Sequence, residues 1–116
     1  MSFLYYGRSV RSNAGQPAVT PVVTSVGEKV TPSLSADGQH LAFAWNGGAG
    51  PHFSIYVKLV GTEESVRLTK QASIDFNPVW SPDGRYIAFC RIVKGGTGIY
   101  VIPALGGVER RLRRAE

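Results

Sequence analysis

The stretch "NPVWSPDGRYIAFCR", residues 77–91, decides the fold, because a second copy of its pattern lies 46 positions earlier as "TPSLSADGQHLAFAW", residues 31–45. Both copies place a proline, a serine, the dipeptide Asp-Gly and the dipeptide Ala-Phe at the same relative positions. Two tandem copies of one pattern indicate two copies of one structural unit.

The correspondence continues downstream, where "IYV" at residues 55–57 matches "IYV" at residues 99–101 after a loop that is longer in the first copy. Short runs of β-branched and aromatic residues alternate with turn residues, which predicts four strands and no helix in each copy. In the second copy the strands are expected near Pro78–Ser81, Tyr86–Arg91, Gly98–Pro103 and Val108–Leu112. The sequence therefore predicts an all-β fold with two consecutive four-stranded antiparallel sheets.

Part of a third repeat unit precedes the two copies. The run "AVTPVVTS" at residues 18–25 resembles "ESVRLTK" at residues 64–70 in residue type and in its position before a copy, which predicts the last strand of a partial unit. We expect residues 1–18, which contain glycine, glutamine and proline, to form a flexible arm. The repeat region is then residues 19–116, with its two complete units at about residues 30–69 and 76–112.

The sequence "SPDG" at residues 81–84 predicts the first hairpin of the second copy. Pro82 presets φ near −65° for the first central position of a turn, Asp83 accepts the next position, and Gly84 takes the left-handed conformation that follows. The first copy has Ala36 in place of the proline, so its turn forms with less preorganisation. The turn motif is expected to comprise Ser35, Asp37, Gly38, Ser81, Pro82, Asp83 and Gly84.

Large aromatic residues recur between the copies: Phe43 corresponds to Phe89, and Tyr56 to Tyr100. Recurrence at strand positions favours packing between strands and between units over ligand binding. The predicted core of the units consists of Phe43, Tyr56, Trp80, Phe89 and Tyr100.

No pattern of catalytic or metal-binding residues emerges. Asp37 and Asp83 recur inside the turn motif, which favours a role in the turn over a catalytic role. The histidines, His40 and His52, have no cysteine or acidic cluster at metal-ligand spacing, and no "GxSxG" element is present. We predict no catalytic residue, no metal site and no cofactor.

The net charge of +5 comes largely from arginines near the two ends of the chain. No aromatic-interleaved basic stripe or recognition helix accompanies them, which argues against nucleic-acid binding.

Cys90 is the single cysteine and lies in an apolar run, where a small buried thiol is expected. No run of apolar residues is long enough for a transmembrane helix.

The repeat resembles the TolB-type β-propeller blade, a Pro-Asp relative of the WD repeat. The run "PVWSPDGRYIAF" at residues 78–89 is a close match to that blade, and "PSLSADGQHLAF" at residues 32–43 is a degraded one. Over residues 19–114 the chain is also similar to the sensor propellers of bacterial membrane serine/threonine kinases and winged-helix regulators. This resemblance implies two consecutive propeller blades plus an N-terminal strand from a partial blade, on the periplasmic or extracytoplasmic side of a membrane.

Propellers have about four to eight blades, so two units predict a fragment of a longer propeller or a chain that associates through exposed blade faces. The expected function is non-catalytic binding or sensing, with a protein, further blades or a second copy as partner. A small ligand is a further alternative, with Asn46, His52, Asn77 and Arg91 as candidate surface contributors. The competing interpretation is an accessory propeller of a serine peptidase similar to prolyl oligopeptidase or tricorn.

Overall fold

The computed structural model describes residues 29–112, and within this range it contains strands and no helix. The eight strands are β1 Lys29–Leu34, β2 His40–Trp45, β3 Ser54–Leu59, β4 Ser65–Arg67, β5 Asp75–Trp80, β6 Tyr86–Val93, β7 Gly96–Pro103 and β8 Arg110–Arg111. They form two four-stranded antiparallel sheets, sheet 1 with the order β1-β2-β3-β4 and sheet 2 with the order β5-β6-β7-β8. The prediction of two consecutive all-β units is confirmed, and the architecture is consistent with two blades. The predicted arm and the partial N-terminal strand lie outside the described residues.

The repeat detected in the sequence is also a repeat of strand register. Phe43 pairs with Tyr56 across β2 and β3, and Phe89 pairs with Tyr100 across β6 and β7. Because paired residues of neighbouring strands share a face of the sheet, each aromatic pair lies on the same face of its own sheet. The rings stack at centroid distances of 5.8 Å in both sheets.

The first strand of each sheet contains a bulge, and in sheet 2 this strand begins earlier than predicted. Register shifts occur between Val30 and Ser33 in β1 and between Phe76 and Val79 in β5. The bulge carries β5 past Pro78, a residue that cannot donate to a strand ladder. β5 therefore begins at Asp75, three residues before the predicted start. β6 and β7 are each two residues longer than predicted, and β8 is shorter than predicted.

The two sheets enclose one apolar core. β5 lies against β1, β2 and β3, and a single cluster joins residues of both sheets: Ala42, Ala44, Ile55, Val57 and Leu68 of the first repeat, and Ile87, Phe89 and Ile102 of the second. A backbone bridge between Phe53 and Ile74 closes the seam on one side. One face of sheet 1 therefore packs on the Phe89 face of sheet 2.

Candidate functional site

The turn between β1 and β2 is a closed network of hydrogen bonds. The Ser35 hydroxyl donates to Asp37 Oδ1 at 2.6 Å and accepts the His40 backbone N–H at 3.0 Å. Asp37 Oδ1 also accepts the Gln39 N–H at 3.0 Å. Gly38, at a φ of 75°, donates its N–H to the Ser35 carbonyl at 2.9 Å. The positive φ is the conformation for which glycine carries no steric cost.

The turn between β5 and β6 repeats this network. The Ser81 hydroxyl donates to Asp83 Oδ1 at 2.7 Å and accepts the Tyr86 N–H at 3.0 Å, while the Arg85 N–H donates to the same carboxylate oxygen at 3.1 Å. Gly84 has the same φ of 75° as its counterpart in the first turn. The Ser81 hydrogen bond and the Arg85 N–H lower the pKa of the Asp83 carboxyl. The Asp37 carboxyl has a lowered pKa for the same two reasons, from Ser35 and Gln39.

The two turns flank a groove of about 440 Å³ at one end of the seam between the sheets. Its walls include His40 and Trp80, whose ring centroids lie 5.9 Å apart. A neighbouring cleft of about 420 Å³ shares these two residues and extends toward Tyr86 and Leu105. The groove presents the rings of His40 and Trp80 to a bound molecule, which suits stacking. The Oδ1 atoms of Asp37 and Asp83 at its edges already accept hydrogen bonds within their turns.

Trp80 also joins the two units. Its indole Nε1–H donates to the Ser33 carbonyl of β1 at 2.8 Å. Close to this bond, the Asn77 backbone N–H donates to Thr31 Oγ1 at 3.1 Å. These two hydrogen bonds link the first strands of the two sheets.

Sheet 2 contains a buried ion network that was not predicted from the sequence. Arg91 donates from Nε to Asp75 Oδ1 at 2.7 Å and from Nη2 to Asp75 Oδ2 at 3.1 Å, and it also pairs with Glu109. Arg91 is 4% exposed and Asp75 is 0% exposed. Mainly through the Asp75 hydrogen bonds, the network raises the pKa of the Arg91 guanidinium.

The prediction that Arg91 contributes to the surface is therefore wrong. Its guanidinium carbon lies 4.5 Å from the Tyr100 ring centroid and 5.4 Å from that of Phe89. Arg91 stands at the register position that Trp45 occupies in sheet 1. The arginine follows an apolar run, and an acidic residue 16 positions earlier is the one signal that could have suggested a partner.

The other predicted surface contributors lie apart from one another. Asn46 and His52 line a cleft of about 420 Å³ with Arg67 and Lys70, at the end of sheet 1 opposite the β1–β2 turn. Asn77 lies in the β5 bulge at the seam between the sheets. The structure does not bring these residues into one site.

The predicted aromatic core residues are placed at two levels of burial. Phe43 and Phe89 are buried, whereas Tyr56, Trp80 and Tyr100 are half-buried. Trp45 lies edge-on to Tyr56 at 5.0 Å. Tyr56 and Trp80 line clefts, and Tyr100 lies against the guanidinium of Arg91.

Sheet 2 carries an exposed apolar surface on the side away from sheet 1, which we call the distal face. Register places its members on one side of β5, β6 and β7 with one residue just beyond β8: Val79, Ala88, Cys90, Ile99, Val101 and Leu112. Val79 is 59% exposed, Ile99 42% and Leu112 38%. Cys90 is half-buried on this face, so the expected buried thiol is only partly enclosed.

Residues 29–112 contain no group of three or more histidine, cysteine, aspartate or glutamate side chains placed to hold a metal ion. Within the same range no helix has the length and apolar character needed to cross a bilayer.

The chain is an all-β protein with two consecutive four-stranded antiparallel sheets. No protein-family model matches it. It is 28% identical over 96 residues to a curated protein described as "Protein TolB homolog" from Chlorobaculum tepidum, an alignment that covers 83% of this chain and 21% of that protein. The chain thus spans about a fifth of the length of the relative it matches, and the likeness suggests a TolB-like propeller repeat.

Proposed function

We propose that this chain is a non-catalytic β-propeller segment that binds protein through its exposed sheet surface and works within a larger assembly. The observation that carries the proposal is the distal face, where the side chains of Val79, Ile99 and Leu112 stand exposed on the same side of sheet 2. Contiguous exposed apolar surface on a folded protein marks an interaction site.

The shape of the distal face favours a protein over a small molecule. It is one side of a β-sheet, whereas small ligands are usually enclosed by concave pockets. Val79, Ala88 and Val101 pair across three neighbouring strands and form a continuous row on this face. A partner with its own apolar sheet face would cover this row and remove it from water.

The experiment compares two lysine variants of the complete chain. Ile99→Lys places a charge in the distal face, and Leu105→Lys places the same charge on a fully exposed apolar residue in the turn after β7. Self-association is measured by light scattering over a range of protein concentrations, and exposed apolar surface by the fluorescence of a bound naphthalene sulfonate dye.

We expect concentration-dependent self-association and dye binding for the natural chain and for Leu105→Lys. Ile99→Lys should reduce both. A natural chain that remains monomeric at all concentrations and binds no dye would contradict the proposal.

The groove between the turns supports a second candidate function, recognition of a small ligand. His40 and Trp80 supply a stacking surface of the kind that binding pockets use for orientation. Screening by Trp fluorescence should find ligands whose signal is lost in Trp80→Phe and retained in Trp45→Phe. Ligands whose response depends on Trp45 instead would contradict a site in this groove.

A further inference from the structure

The partner of the distal face can be specified from the interface between the two sheets, and this inference rests on the proposed function. Each member of the distal face has a counterpart in the first repeat. Ala88 and Cys90 correspond to Ala42 and Ala44, because the copies are 46 positions apart in this region. Register agrees, since Ala42 pairs with Val57 in sheet 1 and Ala88 with Val101 in sheet 2.

The counterparts are covered in the first repeat and uncovered in the second. Ile55 is 0% exposed where Ile99 is 42% exposed. Leu68 is 5% exposed where Leu112 is 38% exposed. The difference has a simple cause, because sheet 2 packs on this face of sheet 1 and contributes Phe89 and its neighbours to the core. The distal face therefore continues an existing interface by one further repeat.

Two hydrogen bonds also cross the existing interface. Trp80 of the covering sheet donates its indole N–H to the Ser33 carbonyl of the covered sheet, and the Asn77 N–H donates to Thr31 Oγ1. Both acceptors have counterparts in sheet 2. The Val79 carbonyl stands where Ser33 stands, as pairing with Ala88 and Ala42 shows. The exposed residue Asn77 is the counterpart of Thr31 and has an amide oxygen that can accept in place of the threonine hydroxyl.

We propose that the distal face binds a further four-stranded sheet unit that presents a tryptophan at the position equivalent to Trp80. Its indole N–H donates to the Val79 carbonyl, and a backbone N–H from its first strand donates to Asn77 Oδ1. Its aromatic face covers Ile99 and Val101 as the Phe89 face of sheet 2 covers Ile55 and Val57.

A second copy of this chain is a poor match for that requirement. Its sheet 1 has Leu34 at the position of Trp80, as the pairings with Leu41 and Ile87 show, and leucine has no donor. In its sheet 2, Trp80 is already bonded to Ser33 and Phe89 is buried in its own core. A distinct tryptophan-bearing unit should therefore bind this surface more tightly than a second copy, which would associate through apolar contacts without the indole hydrogen bond.

The test adds such a unit to the complete chain. A copy of residues 73–112 is appended after residue 116, which preserves the spacing between Leu68 and Ser73 because residue 112 corresponds to residue 68. The cysteine of the appended copy is changed to alanine, so that Cys90 on the distal face is the single thiol. The matched control carries Trp80→Phe in the appended copy only, which removes the indole donor and keeps an aromatic ring.

The readout is the rate at which Cys90 reacts with dithionitrobenzoate, measured on fractions that light scattering shows to be monomeric. Cys90 stands where Ala44 is fully buried by the neighbouring sheet, so a docked unit should shield it. We expect the tryptophan-bearing unit to slow the reaction at least about tenfold relative to the natural chain. Cys90 should react about tenfold faster in the chain with the phenylalanine unit than in the chain with the tryptophan unit, because one hydrogen bond is lost.

Equal shielding by the two appended units would overturn the selection for tryptophan and leave the proposed function standing. No shielding by either unit would overturn both, because the distal face would then not bind a sheet of this type. Ile99→Lys in the three-unit chain should restore fast labelling if shielding comes from docking on the distal face.

Discussion

Asn77 donates its backbone N–H to the side-chain oxygen of Thr31, its own counterpart in the preceding repeat, at 3.1 Å. Both residues have positive φ, 54° and 52°, and both lie in the bulge of the first strand of their sheet. The same backbone irregularity thus occurs twice, and the two instances are bonded to each other. The seam between the sheets is held by polar contacts as well as by its apolar core.

This contact predicts opposite effects for two substitutions of Thr31. A β-branched residue at positive φ is strained, and asparagine tolerates that conformation better. Thr31→Asn should keep an acceptor and change the free energy of unfolding by less than about 1 kcal/mol, in the stabilising direction. Thr31→Val removes the acceptor at nearly constant shape and should cost about 0.5 to 1.5 kcal/mol. Urea unfolding measures both, and equal stability of the valine variant and the natural chain would contradict a role for the contact.

Trp80→Phe should destabilise the packing of the two sheets. The substitution removes the indole donor to Ser33 and part of the apolar area at the seam, and we expect a loss of about 1 to 3 kcal/mol. Leu105→Ala is the control, because that side chain is fully exposed and should change stability by less than about 0.5 kcal/mol. Thermal unfolding curves compare the two variants. Equal unfolding midpoints for the two variants would show that the indole hydrogen bond does not contribute measurably to stability.

The buried ion network predicts strong coupling between Arg91 and Asp75. Arg91→Met leaves the buried Asp75 carboxylate without its counter-charge and should cost about 3 to 5 kcal/mol. Asp75→Asn leaves Arg91 paired with Glu109 alone and should cost less. The double variant should cost less than the sum of the two, since neither Arg91 nor Asp75 is then left without the other. A double-mutant cycle from denaturant unfolding gives the coupling, and additive losses would show that the two side chains act independently.

Acid should weaken the two turns. The pKa values of Asp37 and Asp83 are lowered in the folded chain from an ordinary value of 3.8, chiefly by the serine hydroxyls. A lowered folded pKa means stability that is present above the unfolded value and lost as pH falls through the folded one. Stability should therefore decline below about pH 4.

Ser81→Ala isolates this effect in one turn. The variant should raise the pKa of the Asp83 carboxyl toward 3.8 and leave that of Asp37 unchanged, because each serine bonds only within its own turn. Carboxyl carbon shifts in an NMR titration read both values. A low pKa for Asp83 in the alanine variant would show that the Arg85 N–H and the Arg85 charge account for the shift without the serine.

The amino-acid sequence by itself determined the number of sheets, the number of strands in each and the positions of the turns. These features depend on residues close together in the chain: the alternation of apolar residues within a strand, and the backbone preferences of Pro82 and Gly84. The duplication supplied the rest, because two copies of one local pattern fold to the same local structure.

Only the tertiary structure decided which surfaces are covered and which polar groups meet. Arg91 and Asp75 are 16 positions apart, and Trp80 and Ser33 are 47 apart, so neither contact follows from local pattern. The equivalent residues Ile55 and Ile99 have the same side chain and the same register, yet one is buried and the other exposed. Burial depends on what packs against a sheet, and that is a property of the assembled fold.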